Sequence, residues 1–451
     1  MDFEFISGER LTMTGSQVQA TIPVLPTQAF KVIISAEGAV RMAVNGPVSS
    51  GSALLPTDHP IVLTLRNLMG LAFLGDSGTY VGIEYFNIPT LPPWWRGLAD
   101  DWEDSWQYEI DPVVAAATAA NLSAMGASLS GSYKWYGGVL GPDGKIYGIP
   151  GDSTTILIIN PIAGTATRSA MGASLSGGAK WVGGILGPDG KIYGIPAYAT
   201  DILIIDPIAG TASRSAMGAN LTGSNKWVGG VLGPDGKIYG IPGSATDILI
   251  IDPIAGTATR SAMGADLSGT FKWQGGVLGP DGKIYGIPYS ATDILIIDPI
   301  AGTATRSAMG ASLSGFGKWY GGVLGPDRKI YGIPAYATDI LIIDPIAGTA
   351  TRSAMGASLD NIWVGGVLGP DGKIYGIPGS ATDILIIDPI AGTATRSAMG
   401  ADLSGSTKWV SGILGPDGKI YGIPRDSTTI LQILNSPGLL RMVQGPYLNK
   451  F

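Results

Sequence analysis

Six times along this chain a lysine stands directly before a tryptophan: Lys134-Trp135, Lys180-Trp181, Lys226-Trp227, Lys272-Trp273, Lys318-Trp319 and Lys408-Trp409. A seventh tryptophan, Trp363, follows Ile362 instead. An aromatic plate beside a cation suits the apolar face of a sugar or an acidic glycan. The competing reading packs the tryptophans inside the fold and leaves the lysines merely solvated. Other chemistry is poorly supplied. The one histidine, His59, lies far from any repeated carboxylate, so a Ser-His-Asp arrangement and a histidine metal site both lack their residues. There is no cysteine, which removes disulfides, thiolate metal sites and a thiol nucleophile together. The recurring Asp-Gly pairs do not have the spacing of calcium-loop carboxylates, although calcium at repeated Asp positions stays open. No catalytic group, metal or cofactor is expected.

The elements that carry these pairs repeat. The seven tryptophans are separated by 46, 46, 46, 46, 44 and 46 residues, a period that suits a four-stranded propeller blade. Within one copy, the apolar run opening on Trp181 is followed by the tight turn Gly187-Pro188-Asp189-Gly190 and a second run, Lys191 to Pro196. Ile202 to Ile205 reads as a third, doubly buried strand, and Thr211 to Ser215 as a more polar fourth. Gly or Pro interrupts every window of helical length. Asp206 and its equivalents precede proline and should cap turns by Asx-type hydrogen bonds. Arg168, Arg214, Arg260, Arg306, Arg352 and Arg396 fall on the outer strand, where pairing with a nearby Asp is expected.

Seven copies predict a seven-bladed β-propeller over residues 108–451. Ser123-Ala124-Met125-Gly126 copies a blade's tail before the first tryptophan, while the last blade departs from the pattern at Asn435-Ser436-Pro437. The N-terminal segment is therefore expected to supply the missing outer strand and remove the open edge. Residues 438–444, GLLRMVQ, are the rival for that place. In period and layout the repeat resembles kelch-like propellers. It lacks the Gly-His and Trp-Asp marks of WD40 blades and the sialidase box, so the resemblance implies architecture and not activity.

The copies can be compared with one another. GPDGK is identical in six of them, with Arg328 replacing glycine in the other, and IAGTA is nearly constant. Differences gather before each Lys-Trp pair (Ser132-Tyr133, Thr270-Phe271, Phe316-Gly317) and just after each tryptophan (Tyr136, Val182, Val228, Gln274, Tyr320, Val364, Val410). They gather again after each Ile-Pro (Ala197-Tyr198, Tyr289-Ser290, Ala335-Tyr336, Arg425-Asp426). In an up-and-down blade these places emerge on one face and the constant turns on the other. One face looks diversified for contact, drift in exposed loops being the alternative. Lys134, the seven tryptophans and Tyr136, Tyr198, Tyr289, Tyr320 and Tyr336 are the candidate binding residues.

The remainder of the chain is different in kind. Its net charge of −7 is uneven: residues 1–112 hold 13 acidic and 5 basic side chains, net −8, leaving +1 for the rest. With no basic stripe, nucleic acid is a poor partner. MDFEF lacks the pattern of a signal peptide, and no apolar run approaches the ~20 residues of a membrane span, so a soluble protein is expected. Residues 1–88 read as short strands (FEFI, VQATIPV, FKVIISA, VRMAV, IVLTL, YVGIEYF) separated by Gly, Pro and Ser turns, which predicts a small β-sandwich. The fold class is thus all-β, an N-terminal sandwich followed by the propeller. Residues 39–86, with VR-x-A, a Ser/Gly-rich turn and LLP-x-x-x-P, resemble the small β-sandwich modules of tailed-phage virions, used in head decoration or fibre attachment. That resemblance implies a non-enzymatic virion protein, attached through residues 1–88 to other virion proteins, forming a homo-oligomer and presenting the propeller to host-surface glycans. A propeller enzyme acting on polysaccharide and a cellular interaction scaffold are the alternatives. Residues 89–107 form a Pro/Trp-rich linker, whose Trp94, Trp95, Trp102 and Trp106 either pack between the domains or anchor another subunit.

Overall fold

The structure is a computed structural model. It describes residues 119–434 in full and, between Glu4 and Asn87, the backbone of eight strands. Those eight pair antiparallel in two four-stranded sheets, one holding Glu4–Thr12, Tyr80–Asn87, Phe30–Glu37 and Ile61–Leu65, the other Val18–Ala20, Leu71–Gly75, Val40–Val44 and Ala53–Leu55. Their side chains, and with them the packing of the expected sandwich, lie outside the described residues. So do the linker with its four tryptophans and the rival closing segment at 438–444.

Residues 119–434 form seven four-stranded antiparallel sheets, a seven-bladed propeller. Blade 2 is representative: Trp181–Leu186, Ile192–Pro196, Ile202–Asp206 and Thr211–Ser215, hydrogen-bonded in chain order. Its second strand is buried throughout, its third alternates on the outer positions, and its fourth is largely exposed. Apolar inner strands and a polar outer one are what burial between neighbouring blades requires.

Glycine sets the distance between blades. A Cβ on Gly184 would lie 2.7 Å from Ile149 Cδ1 and 3.1 Å from Val139 Cγ2, both in blade 1. Its neighbour Gly183 takes the bulge in the first strand at φ +77°, where a side chain is disfavoured. The slot left at each junction is filled by a tryptophan. Trp227 packs among Ile185, Tyr193, Ile195 and Ile202 of blade 2 and Leu249 and Ile251 of its own blade. The same arrangement joins blade 7 to blade 1, where Trp135 packs with Ile413, Tyr421, Ile423 and Ile430, so the ring closes.

The last blade takes its fourth strand from the segment just before the first blade. Ala119–Ser123 pairs antiparallel with Ile430–Leu434, Leu431 opposite Leu122. No blade of the ring is left with three strands.

The constant turns are self-contained networks. Asp189 accepts from Lys191 N at 3.2 Å and from the Tyr193 hydroxyl at 2.8 Å, tying the GPDGK turn to the strand after it. Asp206 Oδ1 accepts from Ile208 N and Ala209 N at 3.1 and 2.8 Å, the expected Asx cap. The Ser-Ala-Met-Gly segment is a type I′ turn: Met171 and Gly172 stand at φ +49° and +86°, and Ala173 N donates to Ala170 O.

Candidate functional site

The seven blade tryptophans do not reach the surface. Six are 0 % exposed and Trp409 is 2 % exposed. Each indole N–H is also satisfied internally, as Trp227 Nε1 donates to Asp247 O at 2.8 Å. The lysines are interior as well. Lys226 is 3 % exposed, and its ammonium donates to Ala197 O and Ala199 O of blade 2 and to Gly223 O, at 2.8, 3.0 and 2.9 Å. Burial lowers its pKa to about 8. Lys134 does the same across the closure, donating to Gly131 O and Arg425 O at 2.7 and 2.8 Å.

This corrects the reading of the Lys-Trp pair as a ligand site. Trp135, Trp181, Trp227, Trp273, Trp319, Trp363 and Trp409 are wedges between blades, and Lys134 and its equivalents bind neighbouring carbonyls. Neither "solvated lysine" nor "sugar plate" describes them. The outer-strand arginines pair as expected. Arg214 grips Asp201 through Nε and Nη2 at 3.0 and 2.7 Å, with its guanidinium carbon 5.4 Å from the Trp181 ring centre. Arg168 differs, donating to Thr155 Oγ1 where the other blades have Asp.

The variable places do come together. Ala179 N, before the Lys-Trp pair of blade 2, donates to Asp152 Oδ1 in the loop after Ile-Pro of blade 1. Phe271 N donates to Ser244 Oγ at 3.1 Å in the same relation between blades 4 and 3. The residue before each lysine is held in the left-handed region, at φ +52° for Tyr133, +50° for Phe271 and +49° for Thr407. Aromatic residues are costly there.

Exposed aromatic side chains mark this face: Tyr133, Tyr198, Phe271, Phe316 and Tyr336 are 43 to 67 % exposed. Of the tyrosine candidates, only Tyr198 and Tyr336 belong to that set. Tyr136, Tyr289 and Tyr320 are half-buried. Tyr136 and Tyr320 turn toward the propeller axis, where they line a small void with Val182, Val228, Val364, Val410 and Ser411. Its volume is about 20 Å³, room for a single water. The opposite face also exposes apolar side chains, Ile162, Ile208, Ile254, Ile300, Ile346 and Ile390, but the same residue in six blades cannot account for differences between them.

Arg425, Tyr133, Phe271 and Phe316 fall at variable positions but were not named as binding residues from sequence, and they join Tyr136, Tyr289 and Tyr320, which were. The Arg425 guanidinium carbon stands 4.5 Å from the Tyr133 ring centre and 4.9 Å from that of Tyr136. Phe271, Phe316, Tyr289 and Tyr320 form a run of edge-to-face contacts at 6.5, 5.5 and 6.2 Å, leading from blade 4 to the axis. Burial pushes the Tyr136 and Tyr320 phenols well above their usual range, opposed by the charge of Arg425. The available signal was copy-to-copy difference: Arg425 stands where other blades have Gly, Ala or Tyr, and Ser411 replaces a glycine.

No protein-family model and no curated protein matches this chain. Solved structures do share its propeller. Virginiamycin B lyase from Staphylococcus aureus is 16 % identical, with a TM-score of 0.55 over 68 % of this chain and 96 % of that one. A streptogramin B lyase structure is 15 % identical, at 0.56 over 71 % and 100 %. Hydrazine synthase of Kuenenia stuttgartiensis is 15 % identical, at 0.51 over 68 % and 97 %. The likeness is one of fold alone. Among the described residues no group of three His, Cys, Asp or Glu could hold a metal, and no helix is long and apolar enough to cross a membrane.

Proposed function

We propose that this chain is a non-enzymatic structural protein of a tailed-phage virion, of decoration or fibre type, that presents its propeller to host-surface glycans. Residues 1–88, as a β-sandwich, attach it to other virion proteins, and the tryptophan linker at 89–107 serves the same interface. A homo-oligomer follows from that mode of assembly, multiplying weak sites by avidity. The observation that carries the adhesion reading is the concentration of copy-to-copy difference on one face, on which Tyr133, Tyr198, Phe271, Phe316 and Tyr336 are exposed. Rigid aromatic side chains on loops held by a stiff scaffold are suited to stacking on sugar rings.

The lyases that share the fold do not argue for an enzyme here. A His→Ala variant of the Staphylococcus aureus enzyme is described as catalytically inactive, whereas the only histidine of this chain, His59, precedes the blades. The diversified face offers aromatic rings, small polar groups and Arg425, and its loop carboxylates Asp152 and Asp426 are engaged by Ala179 N and by Tyr133 N and the Thr407 hydroxyl.

Attachment of purified protein to host cells tests the reading. Alanine at Tyr198, Phe316 and Tyr336 together should reduce attachment at least about tenfold through lost stacking, with an unchanged far-ultraviolet spectrum. Alanine at Ile208, Ile254 and Ile300 on the other face should not. Attachment that survives the first triple variant, or absence of the protein from purified particles by immunolabelling, overturns it.

A further inference from the structure

Four buried polar side-chain atoms have no hydrogen-bond partner among the described residues: Gln274 Oε1, Ser290 Oγ, Ser411 Oγ and Arg425 Nε. None belongs to the constant turns. Gln274, 8 % exposed, takes the position after tryptophan that is Val182 or Tyr136 in other blades. Ser411, 3 % exposed, lines the axial void. Ser290 and Arg425 lie in the loops after Ile-Pro of blades 4 and 7. An orphaned buried polar group is costly, and chance would scatter such groups through the fold. Here all four fall on the diversified side.

Arg425 is also distinct in its charge environment. Arg214, Arg260, Arg306, Arg352 and Arg396 are each gripped by an Asp. No described carboxylate pairs with Arg425. Its neighbour Asp426 is engaged by Tyr133 N and the Thr407 hydroxyl. With the guanidinium resting near the rings of Tyr133 and Tyr136, its fork is held in place and suited to a carboxylate. The aromatic run from Phe271 to Tyr320 supplies apolar surface for the C–H face of a pyranose, and Gln274 and Ser290 supply an amide and a hydroxyl for sugar hydroxyls.

We propose that the axial mouth of the propeller is a single binding site per chain for a carboxylated sugar residue, its carboxylate on Arg425 and its ring against the aromatic run. This rests on the reading of the diversified face as glycan-binding and narrows it to one asymmetric site and an acidic sugar. The void beneath is too small for a sugar, so the ligand stays in the mouth and Ser411 meets it through one water.

Calorimetric titration of the full chain with trigalacturonic acid, and with the same trisaccharide fully methyl-esterified, tests the site. One ligand per chain is expected, bound at least tenfold more tightly as the acid, with the preference shrinking in high salt. Arg425→Gln should abolish that preference. Gln274→Val, which restores the residue of other blades, should weaken both ligands severalfold and keep the preference for the acid. Equal binding of acid and ester, wild-type binding by Arg425→Gln, about seven ligands per chain, or no binding at millimolar trisaccharide overturns the proposal. A Tyr198 and Tyr336 double alanine variant, which spares the aromatic run, separates the two readings in the cell-attachment assay. If only Arg425→Gln is silent, the axial site falls and adhesion stands. If acid binding is retained while host attachment never occurs, adhesion falls and the axial site stands.

Discussion

Two residues break the repeat where its backbone least tolerates a side chain. Arg328 sits in its hairpin at φ +66°, beside values of +76° to +80° for the glycines that hold this place in the other blades. An L-residue costs about 1 kcal/mol there relative to glycine. Arg328→Gly should therefore stabilise the propeller by up to about 1 kcal/mol, read as a higher midpoint in denaturant titration. No gain would mean that contacts of the arginine side chain outweigh the strain. Ser411 is the sharper case, because the bulge residue of blade 7 carries both φ +58° and an orphaned hydroxyl. Ser411→Gly restores the sequence of the other six blades and should stabilise by about 1–2 kcal/mol. A loss of stability would show that the hydroxyl is satisfied through a water in the axial void. In both cases the sequence difference was visible, but only the backbone angle shows that it opposes folding.

At the level of the blade, the lysine is a staple, and its absence from one junction has a consequence. Five of the six lysines reach back to two carbonyls of the preceding blade, as Lys408 does to Gly379 O and Ala381 O at 2.9 Å each, and Lys134 reaches one, Arg425 O. At the junction of blades 5 and 6 Ile362 stands in its place, and no described hydrogen bond runs from residue 362 to Ala335 O or Ala337 O. The apolar seal remains, since Trp363 still packs on Val323, Tyr331 and Ile333. Amide exchange should then be fastest at this seam, in peptides covering 335–338 and 359–364, and slower at the equivalent 289–292 and 313–320. Uniform exchange at all junctions would rule the staple out as a determinant of local opening. Strand order, turn chemistry and the Asp-Arg pairs were legible because the same turn and alternation signals recur seven times. The fate of the lysine was not. Its burial depends on carbonyls of the preceding blade, about 27 and 29 residues away in the chain, and a Lys-Trp dipeptide carries no sign of them. The axial role of Tyr136 and Tyr320 was hidden for a similar reason: strand position 2 faces the axis only after seven blades converge.

For the whole molecule, closure and titration both act on all blades at once. The Ala119–Ser123 strand completes blade 7, and deleting residues 108–126 should leave an open edge and an unsealed ring. Aggregation or a marked fall in melting temperature is expected, and a soluble monomer of unchanged melting temperature would show that another segment can close the blade. The pH dependence follows from the two interior titratable rings. Burial lowers Lys134, Lys180, Lys226, Lys272, Lys318 and Lys408 from 10.5 to about 8. Between those values the unfolded chain holds more lysine protons than the folded one, so stability rises with pH across that window. Burial and the hydrogen bond to the turn Asp raise Tyr147, Tyr193, Tyr239, Tyr285, Tyr331 and Tyr421 far above 10.0. Above pH 10 the unfolded chain loses tyrosine protons first, and stability falls as pH rises further. The melting temperature should therefore climb from pH 8, peak near pH 10 and then decline. Replacing three of the lysines by Met should flatten the climb and leave the decline in place. A melting temperature that falls steadily from pH 8 would mean that the backbone carbonyls hold these ammonium groups protonated against the cost of burial.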